Sequence, residues 1–302
     1  MNESYTPTAE DFVFHPQDVS TWKQAEDVSG GKHDFAKRFF SKKLNIVGLV
    51  ILTVLVLGSI ILPLVGLDFV EQNLNAVNLA PSAEHWFGTD SLGRDLFSRC
   101  FMGLRISLVI AAVSTIINLI IGMNYGIISG YFGGMTDIIM QRIIDVIGSI
   151  PTLVVVTLLM IILQPGMIAI IIALMLTGWI EMSLIARSQV LKVKELEYIQ
   201  AARTLGAGNM HIIFKDIMPN IIGKLVTQIM ISIPAAVFLE AFLSFIGLGM
   251  PPGSCSLGTL LSDGFDNVLM YPYRLIPAAT VMVLLMCGCH LVAEGLKKAS
   301  EG

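Results

Sequence analysis

Long apolar runs separated by short polar stretches dominate the pattern along this chain. Each run reaches about 20 residues, the length that a helix needs to cross the hydrocarbon core of a bilayer. The pattern therefore predicts an all-α integral membrane protein with six transmembrane helices. The predicted spans are Leu44–Leu67, Leu104–Tyr131, Ile138–Leu163, Met167–Ala186, Ile221–Ile246 and Ile276–Leu296.

Proline and glycine positions refine these spans. The turn signal at Gln164–Gly166 predicts a tight hairpin between the third and fourth helices. Pro151 and Pro234 lie inside the third and fifth runs and are expected to kink them. Glycines spaced four apart in the second run predict a smooth face for close packing against another helix. They are Gly122, Gly126 and Gly130.

The composition supports a membrane protein and argues against a soluble domain, a nucleic-acid partner and a metal site. Of 302 residues, 54% are hydrophobic and only 14% charged, with a mean hydropathy of +0.75. Soluble domains carry about 25% charged residues. The net charge of −4 argues against nucleic acid as a partner. The four cysteines form no CxxC and have no metal-ligand spacing, so no metal site is expected.

Basic residues predict the orientation. With the N-terminus inside, 15 of the 19 Lys and Arg residues fall on the cytoplasmic side. Six spans then place both termini in the cytoplasm. We expect residues 1–34 to form a polar cytoplasmic tail without a cleavable signal peptide. Residues 35–43 are predicted to form a basic segment at the membrane interface. The membrane domain is 44–302, with an external loop at 68–103 and a cytoplasmic loop at 187–220.

Charged residues within the spans are candidates for function because burying a charge in lipid is costly. Glu181 lies in the fourth span, and Glu240 lies in the fifth with Ser244 one turn further on. We expect these three residues to line a translocation path or its gate. The alternative is that each carboxyl is buried and hydrogen-bonded for structure. Arg142 and Asp145 can pair on one helix face near the cytoplasmic interface.

The cytoplasmic loop predicts two short helices. Residues 195–205 suit the first, which Gly206 would end. Residues 209–217 suit the second, and Pro219 would begin the fifth span, where proline is tolerated in a first turn. Small residues leave a shallow surface on which another protein could seat. They are Ala201, Ala202 and Gly206.

The same loop resembles the EAA coupling loop of ABC import permeases. Gln200–Ala202, Gly206 after three residues and then Pro219 keep that motif's spacing. Gln200 stands in place of its Glu, Asp216 in place of an Ile, and Met218 in place of a Leu. The resemblance implies contact with an ATPase through this loop. The implied coupling residues are Gln200, Ala201, Ala202, Arg203, Gly206 and Pro219.

Further motifs narrow the family. GTDSLGRD at 88–95, GLRISL at 103–108 and LSFIGLG at 243–249 resemble the C-type permeases of oligopeptide, dipeptide and nickel importers. Leu257 stands where that family usually has Trp before a Gly. The resemblance implies a type I ABC importer permease architecture, with 44–302 as the permease domain.

The external motif has two interpretations. It is part of the outer gate or the docking surface for a binding protein, or it is a folded lid in which Thr89, Asp90 and Arg94 satisfy each other. The candidate residues are Gly88, Thr89, Asp90, Gly93, Arg94 and Asp95.

The resemblance also implies partners and a location. These are a homologous permease subunit, two ATPase subunits that bind ATP and Mg²⁺, an extracytoplasmic substrate-binding protein, and the lipid of a bacterial or archaeal cytoplasmic membrane. The implied cargo is di- or oligopeptides, with nickel as the alternative. The chain has no phosphate-binding loop, since Lys32 and Lys224 follow Gly without the rest of the motif. We therefore expect a non-catalytic subunit without a cofactor of its own.

The sequence also allows an ion-coupled transporter and a disulfide on the outer side. An ion-coupled secondary transporter would use Glu181, Glu240 and Asp145 as a relay. The coupling-loop spacing and the absence of a clear inverted repeat disfavour it. Cys100 and Cys255 both fall on the predicted outer side, where they could form a disulfide.

Overall fold

The computed structural model describes residues 37–64, 69–251 and 254–301. The predicted tail 1–34, the start of the basic segment and the end of the predicted first span lie outside these ranges. The helices are α1 Lys43–Leu64, α2 Leu96–Phe132, α3 Gly134–Gly148, α4 Thr152–Leu163, α5 Met167–Val193, α6 Glu197–Thr204, α7 Met218–Phe245, α8 Leu257–Asp266 and α9 Ile276–Glu301.

Five helical segments of the described residues are long and apolar enough to span a bilayer, and the bent pair α3 and α4 makes a sixth if it is counted as one span. Counted in that way, the helices match the six spans that the hydrophobic pattern predicts. The described residues contain no β-strand beyond an isolated bridge between Thr89 and Asp95. The all-α membrane fold is therefore confirmed.

The third span is broken rather than kinked. The axes of α3 and α4 differ by 73°. Pro151 has an extended ψ of 125° and precedes the first residue of α4. A proline also disfavours helical backbone at the residue before it, here Ile150. The chain therefore leaves the helix completely at this point.

The hairpin between α4 and α5 is confirmed, with Gln164 at φ 65° in the turn.

Two helices extend beyond the predicted spans. Helix α2 begins at Leu96, because Asp95 caps it by accepting a 2.8 Å hydrogen bond from the Ser98 backbone N–H. Its first turns contain Arg99, which the sequence placed in a loop but which is buried against Asp90. Helix α5 continues past the predicted end of the fourth span to Val193.

The second helix of the cytoplasmic loop is not separate from the fifth span. Helical structure runs without interruption from Asn209 to Phe245. A π-helix at Ile212–Ile217 lies just before Pro219. A π-helical turn shifts the backbone hydrogen bonds without breaking a continuous helix. Pro219 therefore does not end the helical segment here.

The glycine face of α2 packs on α5. A Cβ atom at Gly122 would lie 2.5 Å from the Trp179 carbonyl oxygen, and one at Gly126 would lie 2.7 Å from the Ala186 Cβ. Real atoms do not approach so closely, so only glycine allows this helix spacing. The predicted packing role is confirmed.

Buried side chains form several clusters along the bundle. One lies near the coupling segment, which we define as residues 187–220, and joins α2, α5, α6 and the start of the α7 segment. Two others hold α2 and α7 against α1, α8 and α9 and against α4 and α5. These clusters fix α6 and the membrane carboxylates in place.

Candidate coupling and translocation sites

Helix α6 is anchored to the bundle by one apolar side chain. Ile199 is fully buried in the cluster that also contains Ile212 and Val190. The Asn220 side-chain amide donates a 2.8 Å hydrogen bond to the Tyr198 hydroxyl, which ties α6 to the start of α7. A displacement of α6 would therefore be transmitted to α5 and α7.

Gly206 ends α6 in a Schellman motif. Its N–H bonds to the Arg203 carbonyl, and the Ala207 N–H bonds to the Ala202 carbonyl. Gly206 has φ +83°, and a Cβ there would meet nothing within 4 Å in this chain. Local backbone geometry alone thus requires this glycine, and its surface stays open to a partner.

Arg203 links α6 to α2. Its guanidinium lies 5.1 Å from the centroid of the Tyr131 ring, in cation–π geometry. The Tyr131 hydroxyl donates a 2.9 Å hydrogen bond to the Asn209 side-chain oxygen. Tyr131 therefore holds both sides of the turn that carries Gly206.

Gln200, which stands in place of the motif's Glu, bonds to the backbone through its side chain. Its amide donates a 3.0 Å hydrogen bond to the Lys194 carbonyl. An ionised glutamate cannot donate, so it could not make this bond. Gln200 closes the turn between α5 and α6.

The coupling segment presents an exposed surface with apolar side chains. Leu205 is 88% exposed, Met210 66% and Phe214 51%. Gln200, Ala201 and Pro219 are also exposed, and Ala202 is half-buried. Exposed apolar groups beside polar ones are typical of a protein-binding surface. The predicted coupling residues are thus exposed except for Ala202, and their contact with an ATPase stays a prediction.

An ion pair that the sequence did not predict ties the broken span to α5. The Arg187 guanidinium donates two hydrogen bonds, of 2.6 and 2.5 Å, to the Asp137 carboxylate. The Ser129 hydroxyl of α2 also donates to Asp137. The predicted Arg142–Asp145 pair exists at 3.4 Å but is largely exposed, so it stabilises little. Asp137 and Arg187 are 50 positions apart, and no local spacing signals their contact.

Glu181 faces a groove of about 440 Å³ between α2, the α3–α4 break, α5 and α7. The Gln228 side-chain amide donates a 2.9 Å hydrogen bond to one Glu181 oxygen. The groove is lined by Ser114, Thr115, Asn118, Ile147, Gly148, Ile150, Thr152, Leu174, Thr177, Gly178, Ile180, Glu181, Leu184, Ser232, Ala235, Ala236 and Leu239. It has the size of a small-molecule site, about 300–1,000 Å³.

Glu240 does not reach this groove. It is fully buried and accepts hydrogen bonds from three serine hydroxyls, those of Ser107, Ser244 and Ser256, at 2.8, 3.1 and 2.7 Å. In this conformation Glu240 and Ser244 fit the alternative role of a structural, hydrogen-bonded carboxyl and its partner. Ser107 belongs to the GLRISL motif and Ser244 to LSFIGLG, so two motifs that the sequence showed separately meet at Glu240. Leu257 is buried beside them, and its backbone N–H donates to the Ser107 hydroxyl.

The external loop at 69–95, which we call the lid, is held together by contacts of Asp90. Its side chain is buried, accepts a 2.7 Å hydrogen bond from Arg94 and pairs with the Arg99 guanidinium. Burial raises the pKa of Asp90, but the Arg94 backbone N–H and the Arg99 charge outweigh this, and the pKa lies below its ordinary value. Thr89 instead bonds to the backbone of Ala76 and Leu79.

The other residues of this motif shape the same lid. Asp95 caps α2 and lies 3.1 Å from the His85 ring nitrogen. Gly88 and Gly93 have positive φ, and a Cβ at Gly93 would overlap the Asn73 carbonyl. A docking role for this surface stays a prediction.

The structure contains no disulfide between Cys100 and Cys255. Both are free, buried thiols, and the Cys255 thiol donates to the Arg99 carbonyl.

Comparison with known proteins identifies the family. A family described as "binding-protein-dependent transport system inner membrane component" matches residues 122–301. A second family, the N-terminal transmembrane domain of oligopeptide transport permease C, matches residues 32–81. The chain belongs to the family of binding-protein-dependent transport permeases.

Relatives and solved structures agree with this assignment. The oligopeptide transport system permease protein OppC of Bacillus subtilis (strain 168) is 42% identical over 94% of this chain and 90% of its own length. The dipeptide permease DppC of the same organism is 42% identical over 89% and 84%. An inward-facing structure of the MetNI methionine ABC transporter has the same fold, with a TM-score of 0.55 and 19% identity over 66% of this chain and 94% of its own.

The permease is thus a multi-pass membrane subunit of an ABC importer, of the C-type group that its motifs indicated. Permeases of this kind work with ATPase and binding-protein partners.

Proposed function

We propose that this permease forms half of the translocation path of an ATP-driven importer of di- or oligopeptides. The observation that carries the proposal is the combination of an anchored α6 with an open, partly apolar surface at Leu205, Met210 and Phe214. Relatives named as oligopeptide and dipeptide permeases support peptides over nickel as the cargo.

The proposed partners are a second permease subunit and two ATPase subunits. A homologous permease subunit completes the path, and two ATPase subunits bind ATP and Mg²⁺ beneath it. The coupling residues around Gln200–Gly206 seat on one ATPase, and movement of α6 passes through Ile199 and Tyr131 to α5, α7 and α2. The two membrane halves then alternate between outward- and inward-open states. This subunit itself performs no catalysis.

The lid at 69–95 is the proposed docking surface for the extracytoplasmic binding protein. Its core at Asp90 is internally satisfied, so it presents a preformed surface. The membrane is the bacterial or archaeal cytoplasmic membrane, with both termini of the chain in the cytoplasm.

Reconstitution tests the proposal. The permease pair, its ATPase subunits and its cognate binding protein are placed in liposomes with ATP inside. We expect ATP-dependent uptake of a labelled tripeptide, and co-purification of the ATPase subunits with this chain. Uptake of a nickel chelate in place of peptide would refute the peptide assignment, and uptake driven by a proton gradient without ATP would refute the importer.

A further inference from the structure

The groove beside Glu181 has a charge of one sign only. Among the described residues that line it, Glu181 is the only ionisable one. The rest are aliphatic side chains, glycines, hydroxyls and one amide. An electrostatic preference of this half of the path therefore comes from a single carboxylate.

Glu181 lies near the middle of α5, within the predicted fourth span. It is 14 residues from the start of α5, which corresponds to roughly 20 Å along a helix. A carboxylate within a membrane span is costly unless it meets water or a cation. Arg187, the next cation on α5, is occupied by Asp137.

Gln228 holds the carboxylate in place without neutralising it. Its amide donates to the Oε1 atom of Glu181, and Gln228 itself is buried. Within the described part of the chain this is the one hydrogen bond that Glu181 accepts. Glu181 is exposed in the groove, so its second oxygen is available to a ligand.

We propose that Glu181 is the counter-charge for the substrate's α-ammonium group as a peptide passes through the groove. This inference rests on the proposed function and names the chemical group recognised at that site. The ammonium approaches the fixed carboxylate and donates to its free oxygen, a charge-assisted contact. Small residues opposite, such as Ser232, Ala235 and Ala236, leave room for varied side chains. The site would thus select the common end of peptides and not their sequence.

The test compares two peptides and two proteins. Wild-type and Glu181→Gln complexes are reconstituted with ATPase subunits and binding protein, and uptake of trialanine and of its N-acetyl form is measured. Each rate is divided by the fraction of peptide that the binding protein carries. We expect Glu181→Gln to lower trialanine uptake about tenfold, equivalent to about 1.4 kcal/mol, with less than a twofold change for the acetylated peptide.

A second measurement removes the binding protein from the comparison. Saturation-transfer NMR on the detergent-solubilised complex detects contact of each peptide with the membrane subunits directly. The trialanine signal should fall in Glu181→Gln while the signal of the acetylated peptide stays unchanged. Glu294→Gln, which removes an exposed carboxylate on α9 outside the groove, is the control and should change neither.

The outcomes separate this inference from the proposed function. Equal loss for both peptides, or no loss for either, would overturn the role of Glu181 while leaving peptide import intact. Weaker co-purification of the partner permease in Glu181→Gln would show that the carboxylate pairs across the subunit interface, and would also overturn it. Absence of ATP-driven uptake in the wild type would instead refute the proposed function.

Discussion

The Ser107 hydroxyl donates a 2.8 Å hydrogen bond to the Glu240 carboxylate, although the two residues are 133 positions apart. The Ser107 hydroxyl also accepts a hydrogen bond from the Leu257 backbone N–H at 3.2 Å. Ser256, which caps α8, donates to the same carboxylate. This contact joins α2, α7 and α8 at a point where Ser107, Glu240 and Ser256 are all fully buried.

Ser107→Ala is therefore expected to destabilise the permease. It leaves a carboxylate oxygen and a backbone N–H without this partner, at a cost of about 1–3 kcal/mol. Thermal unfolding in detergent measures the effect. Ser114→Ala is the matched control, because Ser114 is equally buried on α2 but donates only to carbonyls of its own helix. Equal losses in the two variants would contradict a special role for the Glu240 contact.

Packing of α2 on α5 predicts a strong effect at Gly126. Gly126→Ala would place a methyl group 2.7 Å from the Ala186 Cβ, and overpacking of this kind costs about 1–3 kcal/mol. Gly223→Ala on α7 meets nothing within 4 Å and should keep or raise the unfolding temperature. Thermal unfolding of both variants provides the comparison. An unchanged unfolding temperature for Gly126→Ala would show that the two helices can separate without loss.

A substitution at Gly206, in the turn after α6, is expected to weaken coupling to the ATPase more than it lowers the stability of the permease. Gly206→Asp places a side chain at φ +83°, which costs about 1–2 kcal/mol, and adds bulk and charge to an open surface. We expect fewer ATPase subunits to co-purify, or ATP hydrolysis that no longer depends on transport. Gly206→Asn tolerates this backbone better and separates strain from charge.

Gly208→Ala is the control for that turn. Gly208 is two residues away, has φ −69° and also has open space around a Cβ. It should retain the ATPase contact. If Gly208→Ala weakened that contact as much as Gly206→Asp does, the effect would come from the loop in general.

The lid at 69–95 should lose stability in acid. The pKa of Asp90 is lower in the folded state, so its contribution is complete above the unfolded pKa of about 3.9 and is lost as the pH falls through the lowered value. Hydrogen exchange of residues 76–95, read by mass spectrometry, should be constant from pH 7 to about 4 after correction for intrinsic rates, and then rise.

Asp90→Asn should open the same lid at neutral pH. It leaves the buried Arg99 guanidinium without its charged partner, and breaking a buried pair costs about 3–5 kcal/mol. Exchange in the transmembrane part of α2 beyond Ser114 should be unchanged. A lid that stays protected in Asp90→Asn would show that backbone hydrogen bonds alone hold it.

The sequence by itself predicted those features that depend on residues close together along one helix. Apolar run length predicted six crossings, the Gly122–Gly130 spacing predicted a packing face, and Gly206 marked the end of α6. Each depends on neighbours in the chain, which helix geometry places on one face or at one end. The family motifs add the likeness to C-type permeases.

Only the tertiary structure decided which distant groups meet. Asp137 with Arg187, and Ser107 with Glu240, share no local spacing, so no periodicity could pair them. The two membrane carboxylates looked equivalent in the sequence. The fold buries Glu240 among three serines and leaves Glu181 exposed in a groove, because burial depends on which helices pack around a residue and not on its neighbours in the chain.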